Sequence, residues 1–279
     1  MKTILLVVGL AVWCRYAAHA APLDRSTFTE VIRDVNVLPA TSDTASPAHL
    51  NDVLKAPDRV RTGPASRAQL TAPDQTITRV GANTIFSFQG GSRTLNLEQG
   101  SLLFHSPKGI GGGMIKSGGA AAAVLGTTLI VVATPNGGFK VLFLEGRGTV
   151  TLANGHSVTL SAGQLVYVPP GAQNFSPVFY FNLAQLTASS QLVNGFTEPL
   201  SSLPLIQQAV GDQHDALTFG NLSSPGGPVD VYLFVPGGPG ATTDPSIRHT
   251  GVTVGNPPPP GSLFPNTPPM PPRPPVLIP

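Results

Sequence analysis

The chain has 279 residues, with 16 Lys or Arg, 14 Asp or Glu and 6 His, for a formal net charge of +2. Charged residues make up 11% and hydrophobic ones 41%, a balance that excludes wholesale disorder. Cys14 is the one cysteine. An intrachain disulfide, a thiolate metal site beyond residue 20 and a cysteine nucleophile there are therefore excluded.

At the N-terminus, Lys2 precedes an apolar run over residues 4–13 that is too short to span a bilayer as a helix. Arg15 interrupts the run, and Ala18-His19-Ala20 supplies the small-x-small pattern of a signal-peptidase site. Residues 1–20 are thus predicted to be a secretory signal peptide, which places the mature chain in the periplasm or outside the cell. Arg15 keeps an uncleaved anchor as the alternative. Trp13 stands before Cys14 where a lipid-attachment site needs a small residue, which argues against lipidation. Removing Lys2 and Arg15 from the 16 basic residues leaves 14 against 14 acidic ones, so the mature chain is neutral. Nucleic acid is not an expected partner, because its recognition needs a basic face. No later stretch is long and apolar enough for a stable membrane span.

From Phe28 to Pro170 the chain reads as short strands separated by glycines. Thr84-Ile85-Phe86-Ser87-Phe88 alternates as a half-buried strand does. Residues 129–132 form a β-branched run, followed by strand patterns at 139–144, 149–152, 157–160 and 164–168. Asn154-Gly155 between two of these is the best local hairpin, since the pair takes positive φ at little cost. Gly63, Gly81, Gly100, Gly126, Gly146 and Gly163 punctuate the strands at loosely similar intervals. This predicts an all-β domain, either a sandwich or a solenoid-like stack of short strands. Six glycines between Gly109 and Gly119 surround Met114-Ile115-Lys116-Ser117. Without the G-K-[ST] ending of a phosphate-binding loop, this segment is expected to be a surface loop.

Beyond Ser176 the periodicity becomes helical. Residues 182–193 form one predicted helix, ended by Asn194-Gly195. Ser201-Ser202 cap a second over residues 203–210, with Pro204 early and Gly211 just past its end. Residues 229–235 are a candidate last strand. Twelve of the 30 prolines fall between Pro257 and Pro279, predicting an extended, disordered tail. The expected organisation is a signal peptide (1–20), a β domain (21–177, core motifs 51–171), a helix-containing extension (178–254) and the proline-rich tail (255–279).

The segment from about Asn51 to Gly171 resembles the FecR domain family. Asp58-Arg59-Val60-Arg61-Thr62-Gly63 is similar to the family's opening D-x-[VI]-x-T-G turn, and Ser66-Arg67-Ala68-Gln69-Leu70 to the strand after it. Leu97-Glu98-Gln99-Gly100-Ser101-Leu102 resembles the L-x-x-G-x-[VL] element, and Val124-Leu125-Gly126-Thr127 the V-x-G-T step. Val141-Leu142-Phe143-Leu144-Glu145-Gly146 and Leu160-Ser161-Ala162-Gly163-Gln164 resemble the last two motifs, V-x-x-L-x-G and L-x-x-G-[EQ]. The motif glycines define turns. Glu145 and Gln164 are expected to bond backbone groups left unpaired there. The resemblance implies a β fold in a bacterial envelope-side binding or signalling protein. Two departures matter: the signal peptide leaves no room for a cytoplasmic sigma-factor-binding segment and membrane helix, and Thr128-Leu129 replace the family's usual phenylalanine.

Enzyme chemistry is weakly supported. Gly163, Pro169 and Gly171 match the G-x5-P-x-G strand of cupins, but Asn174 falls where that superfamily's metal histidine would stand. His49, His105, His156, His214 and His249 are scattered singly, and a metal needs convergent donors. No G-x-S-x-G elbow is present. Glu98 and Glu145 are the carboxylates that a non-local glycosidase pair would use. No catalytic, cofactor-binding or metal-ligating residue is therefore assigned, and no cofactor is expected. The expected function is a non-catalytic binding module for an envelope protein or glycan. A structural or adhesive envelope protein is the alternative, and a degenerate cupin-like metal enzyme comes after it.

Overall fold

The computed structural model describes residues 20–42 and 44–218. The predicted signal peptide to residue 19, the strand expected at 229–235, His249 and the proline-rich tail lie outside the described residues. Strand accounts for 44% and helix for 14%, so the all-β expectation holds, with its few helices after the last strand. No helix among the described residues is long and apolar enough to cross a membrane.

The strands form two layers, and the chain passes from one to the other at a series of tight corners. β1 (Arg25–Ile32) lies in the first layer and continues into β2 (Val35–Leu38) in the second. β3 (Ser46–Pro47) and β4 (Val53–Lys55) are short edge strands, one in each layer. β5 (Arg59–Thr62) turns into β6 (Arg67–Thr71), and β7 (Ile77–Val80) into β8 (Ile85–Gln89). β9 (Thr94–His105) belongs to both layers: its first half pairs with β8 and its second half with β7. β10 (Gly113–Ser117) lies parallel to β9 and antiparallel to β11 (Ala120–Val124). β11 crosses to β12 (Thr128–Ala133), β13 (Phe139–Glu145) to β14 (Arg147–Leu152), and β15 (Ser157–Ser161) to β16 (Gln164–Val168), before β17 (Phe179–Tyr180) closes the first layer. The first layer runs β4-β1-β6-β7-β9-β12-β13-β16-β17. The second runs β3-β2-β5-β8-β9-β10-β11-β14-β15.

All six glycines noted in the sequence lie at crossings. Gly63, Gly81 and Gly100 stack at one end of the first layer. Asn83 N–H donates to the Gly63 carbonyl at 3.1 Å, and Gly81 N–H to that of Ser101 at 2.8 Å. Gly126, Gly146 and Gly163 stack at the other end, where Ala162 N–H donates to the Gly146 carbonyl at 3.1 Å. Gly100 shows why a side chain is refused. Its φ is +91°, and an added Cβ would lie 2.5 Å from the Thr84 Cα. Threonine hydroxyls satisfy the remaining corner groups: Thr62 Oγ1 donates to the Gly81 carbonyl at 2.6 Å and accepts from Thr84 N–H at 2.9 Å.

Two cores result. Between the layers, Phe28, Val60, Phe86, Phe88, Leu97, Phe104, Val131, Phe139 and Phe143 interdigitate. On the outer face of the first layer, Leu103, Ile130, Leu142, Leu144 and Leu165 pack against α1 (Leu183–Ser189), α2 (Gln191–Asn194) and α3 (Leu203–Thr218). This second core explains why every residue of β12 is buried and why its sequence is continuously apolar.

Several local expectations are corrected. The glycine-rich stretch is not wholly a loop, because residues 113–117 form β10. The predicted helix at 182–193 is two helices, separated where the Ser190 side chain accepts from Leu192 N–H and caps the second. α3 continues through Gly211 to Thr218. The Asn154-Gly155 hairpin forms, but not as a two-residue turn with both positions at positive φ. Gly155 alone is left-handed, at φ +86°, and its N–H donates to the Leu152 carbonyl at 2.9 Å. This is a turn over Ala153 and Asn154 followed by a glycine bulge.

Candidate functional site

Where the second corner stack meets the start of α3, the surface opens into a cleft of about 470 Å³. Ile77, Pro107 and Leu205 form aliphatic walls, Gln75, Lys108 and Ser201 lie around them, and His105, Ser106, Glu145 and Ser202 are buried at its base. Apolar walls with a few convergent polar groups are the usual construction of a small binding site.

Strand pairing assembles the base. Thr128 on β12 stands opposite His105 on β9 and Glu145 on β13. Thr128 Oγ1 lies 2.9 Å from His105 Nδ1, 2.8 Å from Glu145 Oε1 and 2.8 Å from Ser202 Oγ. Regular alternation does not bring Glu145 there. The register shifts between Thr128/Glu145 and Leu129/Phe143, leaving Leu144 as the extra residue of a bulge. A bulge of this kind re-aims the side chains beside it.

Proton counting fixes the bond directions. Thr128 has one hydroxyl proton, and an ionised Glu145 has none to give, so Thr128 donates to Glu145. Ser202 Oγ–H and His105 Nδ1–H then donate to Thr128, which leaves His105 Nε2 as an acceptor. Burial holds His105 neutral by lowering its pKa to about 4. Burial raises that of Glu145, partly offset by the Thr128 hydrogen bond and the Lys108 charge.

A second buried polar group holds the helices over the sheet. Arg79 on β7 is fully buried. Its Nε donates to Gln69 Oε1 at 2.8 Å, its Nη1 to the carbonyls of Val193 and Leu192 at 2.7 and 3.3 Å, and its Nη2 to that of Glu198 at 2.5 Å. Phe196 stacks over the guanidinium, 4.5 Å from ring centroid to Cζ. Arg79 thereby satisfies carbonyls at the end of α2 and beyond it, a use of the planar fork that lysine cannot reproduce. Burial lowers its pKa to about 10, and it stays charged at neutral pH.

The residues weighed from sequence are mostly dispersed. His49 is exposed beside Asp52, His156 and His214 are exposed, and Asn174 is exposed after β16. Glu98 pairs with Arg59 on the second layer at 3.5 Å, whereas Glu145 is buried in the first. The two carboxylates do not share a site. His105 and Glu145 do come together, through Thr128. Among the described residues, no three His, Cys, Asp or Glu side chains are placed to hold a metal. Gln164 behaves as expected, accepting from Ser161 N–H at 2.9 Å. Glu145 also bonds a backbone group, at Thr128 on the neighbouring strand, and accepts from the Thr128 hydroxyl as well. Sequence reading missed Arg79 and Thr128: each looks like an ordinary strand residue until the helices cover it.

Residues 58–151 match the model of the family described as FecR protein. No curated protein matches the chain. Among solved structures it is similar to two crystal structures of a candidate anti-sigma factor from Parabacteroides distasonis. One, at 1.65 Å resolution, shows 18% identity and a TM-score of 0.42 over 47% of this chain and 63% of that one. The other, at 2.50 Å, shows 17% identity and a TM-score of 0.42 over 49% and 64%. The chain thus covers less than two thirds of either structure's length.

Proposed function

We propose that this chain is a non-catalytic regulatory binding module, exported to the bacterial envelope, that docks a protein partner at the cleft between its FecR domain and its C-terminal helices. The observation that carries this reading is the composition of the cleft base. His105, Thr128 and Glu145 lie within the matched stretch, and Ser202 lies beyond it. The aliphatic walls favour an apolar side chain of a protein over a glycan, since no Phe, Tyr or Trp lines the cleft among the described residues. The non-catalytic reading rests on hydrogen bonding. The hydroxyl in contact with His105 is that of Thr128, which is fully buried and also bonded to Glu145 and Ser202, so it is closed to a substrate carbonyl.

Affinity capture from the native envelope tests the reading. Wild-type chain should retain a protein that Leu205→Asp loses at least tenfold, with the thermal midpoint unchanged. Equal capture by both would reject the cleft as the docking site. Edman sequencing of the exported protein tests the compartment and should begin at Ala21. A chain still starting at Met1 would reject cleavage.

A further inference from the structure

Among the described residues, four strands end the two layers: β4 and β17 in the first, β3 and β15 in the second. An edge strand offers unpaired N–H and C=O groups to any other strand, and proteins usually blunt it with proline, charge or shortness. β3 is two residues and contains Pro47. β4 is three residues, ends in Lys55 and runs into Pro57. β17 is two residues. β15 is five residues, Ser157-Val158-Thr159-Leu160-Ser161, with neither proline nor charge.

The hydrogen-bond phase of β15 shows which groups point away from β14 and have no backbone partner among the described residues. Leu152 N–H donates to the His156 carbonyl at 2.8 Å, and Ala162 N–H to that of Gly146 at 3.1 Å. These two bonds fix the alternation along the intervening ladder, so Val158 and Leu160 bond to β14. Ser157, Thr159 and Ser161 direct their backbone groups away from it. Of those groups, Ser161 N–H is taken by the Gln164 side chain. The segment after β16 touches the hairpin at Asn154, whose Nδ2 donates to the Gln173 carbonyl at 2.7 Å. No backbone bond joins that segment to β15.

We infer that β15 pairs antiparallel with β15 of a second copy of this chain, about a two-fold axis at Thr159. The strand is nearly self-complementary. Ser157 faces Ser161 of the other copy, Val158 faces Leu160, and Thr159 faces itself. A two-fold interface requires this kind of symmetry. Val158 and Leu160 both belong to the inner core side, so the second layer continues across the junction with its faces matched. Thr159 N–H and C=O would form the bonded pair on the axis. Charge is also compatible, because β15 is neutral. The nearest charged residue on β14, Arg147, lies opposite Ser161, so its two copies fall at opposite ends of the junction. A five-residue ladder is small for an interface, and half-dimerisation is expected at about tens of micromolar.

Sedimentation of the purified full chain tests this directly. The wild type should pass from monomer to dimer as concentration rises. Thr159→Pro removes an outward N–H and spares the bonds to β14, so it should weaken the dimer at least tenfold while circular dichroism stays unchanged. Thr159→Lys, which puts like charges on the axis, should do the same. Under mild oxidation in a background lacking Cys14, Thr159→Cys should give a disulfide-linked dimer, whereas Thr149→Cys, one strand inward, should not. A wild type that remains monomeric at several hundred micromolar would overturn the inference. So would a dimer insensitive to both Pro and Lys at position 159, or a foreign strand bound at this edge of a monomeric chain.

Discussion

Arg79 Nη1 donates to the carbonyl of Val193 at 2.7 Å, across a sequence separation of 114 residues. The bond ties the C-terminal helices to a strand of the matched domain, and the other guanidinium nitrogens reinforce it. Arg79→Met keeps the aliphatic bulk but leaves buried carbonyls without donors. The expected cost is about 3 kcal/mol in urea denaturation. Arg79→Lys should recover little of it, because an ammonium cannot reach the spread of acceptors. Limited proteolysis should cut residues 195–200 faster in both variants.

The corner glycines differ in what they tolerate. At Gly100 a Cβ meets the Thr84 backbone at positive φ, so Gly100→Ala should cost at least about 3 kcal/mol. At Gly155 the φ is also positive, but nothing lies within 4 Å, and Gly155→Ala should cost about 1 kcal/mol. Similar midpoints for the two variants would contradict the corner assignment.

The Thr128 cluster is a closed set of donors and acceptors. Thr128→Val removes its centre at nearly constant volume, orphans His105 Nδ1 and takes the hydroxyl donor from the Glu145 carboxylate, at an expected cost of about 2–4 kcal/mol. Ser202→Ala removes one peripheral donor and should cost about 1 kcal/mol. Equal losses in thermal denaturation would mean that Thr128 is not the hub.

His105 makes stability depend on acid. Its folded pKa, about 4, lies below its unfolded value, so the fold prefers the neutral ring. That contribution is complete above the unfolded value, about 6.5, and is lost as pH falls from there towards 4. The loss should reach the order of 3 kcal/mol, and His105→Gln should flatten the profile. Glu145 acts in the opposite sense. Its raised pKa means that protonation in mild acid favours the fold. Glu145→Gln should therefore steepen the measured loss between pH 6.5 and 4.

Much of the strand order was legible in the sequence, because strand alternation and turn glycines are local signals. Residues 84–88 and 164–168, the Asn154-Gly155 hairpin and the six spaced glycines each report on their own few φ/ψ angles and a nearby partner. That the glycines are sheet crossings, and that they stack at two ends, was not visible. Crossing is a relation between corners, such as Gly63 with Asn83 or Gly146 with Ala162, and not a property of any one of them. The cleft lay further beyond reach. His105 was one scattered histidine among several, and Glu145 looked like a turn residue. A bulge at Leu144 was needed to bring Glu145 to the Thr128 hydroxyl, and Ser202, which joins them there, lies 74 residues further along the chain. The sequence by itself determined which residues take β or turn geometry, since local sterics and hydrophobic alternation set that. Which buried polar groups meet was decided by tertiary packing, because an unsatisfied donor is stabilised by whatever acceptor the fold carries to it, however distant along the chain.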